Sequence, residues 1–227
     1  MPDADAIRWF KEQFQGMIGA AIQNTPFSLD MITAIACQET GDVWSILYKK
    51  QLAVNRLLEL CVGDTLDGSG GRKAFPTSRG ALESVSRGRE MFEIARQALV
   101  DMAQYVPGYK SVAAKPDKFC HAFGIFQYDL QYFHDDPDYF LLKGYANFNT
   151  CLTKCLGELN EAMKGIGLEG QTPLTDYEMA CIGIAYNIGP GNFSEKKGLE
   201  QGYFDGKDHY GEALFRYLNL SKKVTTP

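Results

Sequence analysis

Apolar side chains recur at steps of three and four residues along most of this chain, and a chain patterned that way buries its core with helices. Ile7, Phe10, Phe14, Met17, Ile18, Ala21 and Ile22 draw one such stripe, which Asn24-Thr25-Pro26 ends. Ser28 is placed to cap the next helix, which carries Ile32, Ile35, Ala36 and Glu39 along one side and is expected to stop at Gly41. A third pattern runs from Trp44 to Cys61, and Gly68-Ser69-Gly70-Gly71 reads as a loop. Ala81, Val85, Phe92, Ala95, Leu99 and Met102 outline one helix that Pro107-Gly108 terminates. Phe119 to Phe126 is an apolar, aromatic segment around Gly124, and Phe148, Leu152, Cys155, Leu159 and Met163 mark a further helix. Thr175 and Glu178 have the spacing of a capping box ahead of Met179 to Ala185, and Tyr210 to Leu218 is the last helix. There is no internal repeat and no convincing set of alternating strands, so the fold class is mainly α.

At 227 residues, 45% apolar and 22% charged, the chain has the makings of a single domain, or of one domain with a long insertion. A net charge of −5 gives nucleic acid no electrostatic footprint. No apolar run approaches the ~18 residues a membrane span needs. Met1-Pro2-Asp3-Ala4-Asp5 sets acids where a secretory signal would set lysines, so no signal segment is expected here. The six cysteines (Cys37, Cys61, Cys120, Cys151, Cys155 and Cys181) fall in apolar or helical patterns without a CxxC pair and read as buried thiols. The three histidines are scattered, so neither a metal nor another cofactor is expected.

Glu39 stands apart from the other carboxylates. It follows Ile35 by one turn on the apolar side of its helix, near the C-terminal end. Desolvation and the negative end of the helix dipole both disfavour its charged form, which is the requirement for a carboxyl that holds a proton and then donates it; a Glu that merely reaches water at a helix end is the other reading of this segment alone. Two further segments fit that chemistry. His121-Ala122-Phe123-Gly124-Ile125-Phe126-Gln127 sets a glycine and an amide among aromatics, and Ala185-Tyr186-Asn187-Ile188-Gly189-Pro190-Gly191 follows a Tyr-Asn pair with a tight turn. Amides donate and accept, and a tyrosine offers a flat apolar face with a hydroxyl tip; sugars present the matching mixture.

In this order the three segments resemble the lysozyme-like superfamily, specifically lytic transglycosylases and goose-type lysozymes with their SLT-like domain. That family's pattern is a helix ending in Glu-Ser, then Gly-Leu-Met-Gln, then Ala-Tyr-Asn-Ala-Gly-Pro-Gly. Here the three read Gln38-Glu39-Thr40, Gly124-Ile125-Phe126-Gln127 and Ala185 to Gly191, and Asn147-Phe148 with the helix after it is similar to the family's helix between the second and third motifs. The resemblance covers about residues 28 to 193. Thr40 and Phe126 depart from the family's Ser and Met. The stretch from Thr40 to Phe123 is longer than the family's, which implies a lysozyme-like catalytic domain over 1–227 with an inserted helical and loop region at roughly 42–118.

By position, the resemblance implies that Glu39 protonates the β-1,4 oxygen between N-acetylmuramic acid and N-acetylglucosamine in peptidoglycan. Gln127, Tyr186 and Asn187 would bind the flanking sugar or orient the acid, and Gly124 would let the backbone approach the glycan. Asp129, two residues after Gln127, is either the aspartate that positions water in goose-type lysozymes or a helix-capping acid. Anhydro-forming transglycosylation and hydrolysis, by a lysozyme or a chitinase, both stay open. A non-catalytic glycan-binding module on the same scaffold is the alternative. Either way the partner is peptidoglycan or a related N-acetylated glycan, and the place of action is the bacterial cell wall, in the periplasm or outside the cell; oligomeric state is not legible.

Overall fold

A computed structural model of the protein describes residues 1–66 and 72–226; Gly68-Ser69-Gly70-Gly71, read above as a loop, lies outside the described residues. In chain order the helices are α1 (Ala4–Ile22), α2 (Leu29–Leu47), α3 (Val54–Glu59), α4 (Arg79–Glu83), α5 (Gly88–Tyr105), α6 (Lys110–Ala113), α7 (Pro137–Leu141), α8 (Phe148–Gly165), α9 (Asp176–Ile188) and α10 (Tyr210–Lys223). Among the described residues three short strands, β1 (Val62–Leu66), β2 (Phe119–Phe123) and β3 (Tyr128–Asp129), form one antiparallel sheet in that order. The protein is mainly helical. It divides into two compact units, Met1–Gly41 with the chain from Leu152 onward, and Asp42–Cys151. The Gly124 segment lies in the second of these.

In the first unit α1 starts where the Asp3 carboxylate accepts the Ala6 N–H at 2.9 Å; of its expected stripe Ile7, Phe10, Phe14 and Ile18 are buried, together with Ala6, while Met17 and Ile22 are half-buried and Ala21 is exposed. Ser28 caps α2 by accepting from the Met31 N–H at 3.1 Å. Thr175 and Glu178 make the expected capping box at the start of α9. Met179 to Ala185 are all buried, so the middle of α9 is enclosed on every side. It meets α10 closely because glycine stands on both helices: a Cβ at Gly183 would lie 2.2 Å from Leu214 Cδ2, and one at Gly211 would lie 2.5 Å from Ile184 Cδ1. One buried charge closes this unit. Lys11, 4% exposed, donates to Asp30 Oδ1 (2.7 Å) and to the carbonyls of Ser221 (2.7 Å) and Val224 (2.8 Å), binding α1 to the end of α10.

In three places the sequence reading needs correction. The helix expected to stop at Gly41 continues to Leu47, with helical dihedrals lapsing only at Thr40 (φ −135°, ψ 17°). Gly41 serves packing instead: a Cβ there would lie 2.5 Å from Pro2 Cγ. The helix outlined by Ala81 to Met102 is two, α4 and α5, broken at Arg87 (φ 58°). Gly88 sits so close to the Leu82 carbonyl that a Cβ would come within 1.7 Å of its oxygen, and apolar spacing alone conceals such a break. The sheet escaped notice because β1 is interrupted by Gly63 and by Asp64 at φ 39°, and β3 has two residues. Its register pairs Val62 with Phe123 and Leu66 with Phe119, then Phe123 with Tyr128.

The Lys11 junction can be tested. Lys11→Met removes the ammonium and leaves the Asp30 carboxylate and two buried carbonyls without it, so we expect a loss of about 3 kcal/mol of stability, read by urea denaturation.

Candidate functional site

Glu39 occupies the last helical position before the break at Thr40 and is half-buried. The hydroxyl of Tyr210, first residue of α10, donates to Glu39 Oε1 at 2.6 Å, within the range of a charge-assisted hydrogen bond. Burial pushes the Tyr210 phenol well above its ordinary pKa, and the adjacent Glu39 carboxylate pushes it further. The phenol therefore keeps its proton throughout the physiological range and stays a donor. Tyr186 of α9 belongs to the same cluster: burial, then the neighbouring Cys155, Glu39 and Tyr210, raise its hydroxyl well above the ordinary value. Glu158, one turn after Cys155 on α8, also adds to the field at Tyr186.

The motif after Tyr186 supplies the mounting. Asn187 is exposed at the end of α9, where Gly189 takes φ 80° and turns the chain into Pro190–Asn192. Asn192 Nδ2 donates to the Ile188 carbonyl at 2.7 Å, satisfying a helix-end acceptor. Pro190 presses on Gly165 at the end of α8, where a Cβ would come within 2.4 Å of Pro190 Cβ. Gly202 closes the other side, its Cβ position 2.5 Å from Tyr210 Cβ and 3.2 Å from Asn187 Oδ1. Glu39, Tyr186, Asn187 and Tyr210 thus share the first unit.

Gly124, Gln127 and Asp129 lie together in the second unit, on the hairpin between β2 and β3. Gly124 takes φ 81° and Gln127 φ 57°, and the Gln127 N–H donates to the Gly124 carbonyl at 3.0 Å. A Cβ at Gly124 would sit 2.7 Å from both Tyr139 Oη and Cys151 Sγ. Gly124 is therefore buried against protein, which corrects its reading as a place where backbone meets ligand. The Gln127 amide folds inward: Nε2 donates to the Gly124 carbonyl at 2.8 Å, while Oε1 occupies the place of a Gly63 Cβ.

Of the two readings of Asp129, the structure realises the cap. Its Oδ1 accepts the Gln131 N–H at 2.7 Å at the start of the turn Leu130–Tyr132. The same carboxylate is ion-paired to Arg72, and Oδ2 lies 3.0 Å from His121 Nδ1. Burial raises its pKa, but the hydrogen bond to His121 and the pairing with Arg72 outweigh that and hold it below the ordinary carboxylate range. With its oxygens so engaged, Asp129 has little capacity left to take a proton from water.

Sequence reasoning missed Tyr210, Arg72 and His121 as members of these clusters. Tyr210 carried no local signal beyond opening a helix, because its partner lies 171 positions away. Among the described residues no group of three or more His, Cys, Asp or Glu side chains could hold a metal ion, and all six thiols are free and buried. No described helix is long and apolar enough to cross a membrane.

Both clusters make predictions. Tyr210→Phe removes a donor to the charged form, so the Glu39 carboxyl should titrate higher than in the parent, read by carbon-13 NMR. Because the Asp129 pKa is depressed on folding, its stabilisation is present above the unfolded value of about 4 and is lost as pH falls through the folded value. Asp129→Asn should therefore cost about 2 kcal/mol near neutrality and progressively less toward pH ~2, read by urea denaturation across pH. Compared with known proteins, the chain matches no family model, no curated protein and no solved structure.

Proposed function

We propose that this chain cleaves the β-1,4 bond of an N-acetylated glycan, peptidoglycan in the first instance, with Glu39 as the acid. The observation that carries the reading is the Tyr210 hydroxyl 2.6 Å from Glu39 Oε1, with the Tyr186 phenol in the same half-buried cluster. A carboxyl so held has a fixed aim, and fixed aim is what a proton donor to a glycosidic oxygen needs. Tyr186 and Asn187 add the aromatic face and amide that an aminosugar ring uses. The resemblance of the three motifs to lytic transglycosylases and goose-type lysozymes points the same way.

The reaction balances on one carboxyl. Protonated Glu39 gives its proton to the bridging oxygen as the C1–O bond breaks, leaving an oxocarbenium-like sugar and a Glu39 carboxylate. The carboxylate then takes a proton from the incoming nucleophile, either the C6 hydroxyl of the same sugar, which closes an anhydro ring, or water. Tyr210 steadies the carboxylate between the two transfers. Activation of water by Asp129 is disfavoured by its engagement with Arg72, His121 and the Gln131 N–H. The anhydro-forming route is therefore the first choice, and the substrate's location implies work at the cell wall.

Purified peptidoglycan incubated with the protein should release soluble fragments whose mass is lower by one water than that of hydrolysis products. Glu39→Gln, folded as the parent, should slow release by at least about a hundredfold. Release at the parental rate would remove Glu39 from the role, and hydrated reducing ends would establish hydrolysis.

A further inference from the structure

Two of the most exposed large apolar side chains stand side by side on the hairpin that leads into α10. Tyr203 is 78% and Phe204 50% exposed. Isolated exposed aromatics need no explanation, but these are carried by a tightly bonded structure. The Tyr210 N–H donates to the Tyr203 carbonyl at 2.8 Å, and the Gly211 N–H to the Gln201 carbonyl at 3.1 Å. Phe204 bridges His209 across the hairpin, their rings 4.9 Å apart. At the tip the Asp205 carboxylate accepts the N–H groups of Lys207 (2.8 Å) and Asp208 (2.9 Å), and Asp208 is ion-paired to Arg216 of α10. Side chains and backbone together thus fix a segment that buries little of its own apolar surface.

The hairpin is also tied to the Glu39 cluster. Its backbone bond at Tyr203 is made to Tyr210, the residue whose hydroxyl reaches Glu39. Gly202, immediately before Tyr203, packs against Tyr210 Cβ and close to Asn187 Oδ1. We propose that Tyr203 is a stacking subsite for an aminosugar ring of the substrate, held beside the Glu39 cluster by the Phe204–His209 clasp. The ring offers a π face to the axial C–H groups on one side of a β-linked sugar, and the clasp and the Tyr210–Tyr203 bond fix the backbone that carries it, so little backbone freedom is left to lose on binding. The occupant is a glycan because a polymer cut at Glu39 must extend past the residues mounted around it. This inference rests on the proposed glycan cleavage and adds to it the residue that sets affinity for the strand.

The test compares initial rates of soluble-fragment release over a range of purified peptidoglycan concentrations. Tyr203→Ala and Tyr203→Gln should each raise apparent KM about tenfold with kcat within about twofold and the melting temperature unchanged, while Tyr203→Trp keeps the parental KM. Parental KM in the Ala and Gln variants of an active protein would overturn the stacking subsite and leave glycan cleavage standing. An inactive parent would overturn both. Gel filtration supplies the remaining arm: a parent that is a dimer and becomes monomeric on Tyr203→Ala would assign the ring to a subunit interface and overturn the proposal.

Discussion

The hydrogen bond from Tyr210 to Glu39 is the constraint on which the proposed chemistry of the first unit depends, because it fixes the position of the candidate acid and stabilises its charged form. It joins residues 171 positions apart, at the end of the straight part of α2 and at the start of α10. The α10 helix that carries Tyr210 packs closely on α9 because Gly183 and Gly211 leave room for Leu214 and Ile184. The phenol's raised pKa removes any ambiguity about direction: Tyr210 gives and Glu39 receives. A hydrogen bond to a charged group is worth about 1.5–3 kcal/mol, enough to bias a carboxyl's titration by one or two units and its rotamer nearly completely.

The second unit spends comparable chemistry on structure. Asp129 and His121 are residue types that acid–base chemistry uses, yet the carboxylate answers to a turn N–H, a guanidinium and a ring nitrogen together. Gln127 likewise uses its amide on the turn that bears it. The physical distinction between the two clusters is therefore one of spare capacity. Asp129 has little left for a substrate proton, and Gly124 is backed by Tyr139 and Cys151.

Much of this was legible in the sequence, and the failures share a cause. The apolar stripe of α1, the Ser28 cap and the Thr175–Glu178 box were readable because each is a contact within one or two turns, whose spacing is written in the chain. Glu39 was singled out by its place on an apolar face, which is also local. Gly41 and Gly88 misled because a glycine that makes room for Pro2 or the Leu82 carbonyl looks the same as one that ends a helix, or that is merely tolerated within it. Arg87 in the left-handed region gave no warning, since arginine rarely takes that conformation. Tyr210, Arg72 and His121 gain their partners only from tertiary structure, so their roles could not be read from spacing.

That difference bears on how the first unit was assembled. Its local features, caps and stripes, specify helices that would form in many arrangements. What selects this arrangement is a few long-range polar contacts made where water is scarce: Lys11 with Asp30 and the end of α10, and Tyr210 with Glu39. Both sets engage α10, one near its C-terminal end and one at its first residue. Lys11 anchors the helix and Tyr210 uses it, so the geometry at Glu39 depends on a buried ammonium that has no chemistry of its own to perform. A small helical unit can in this way hold a carboxyl to a narrow range of positions, because each end of one helix is tied to a different element and neither tie can slide without breaking a charged hydrogen bond.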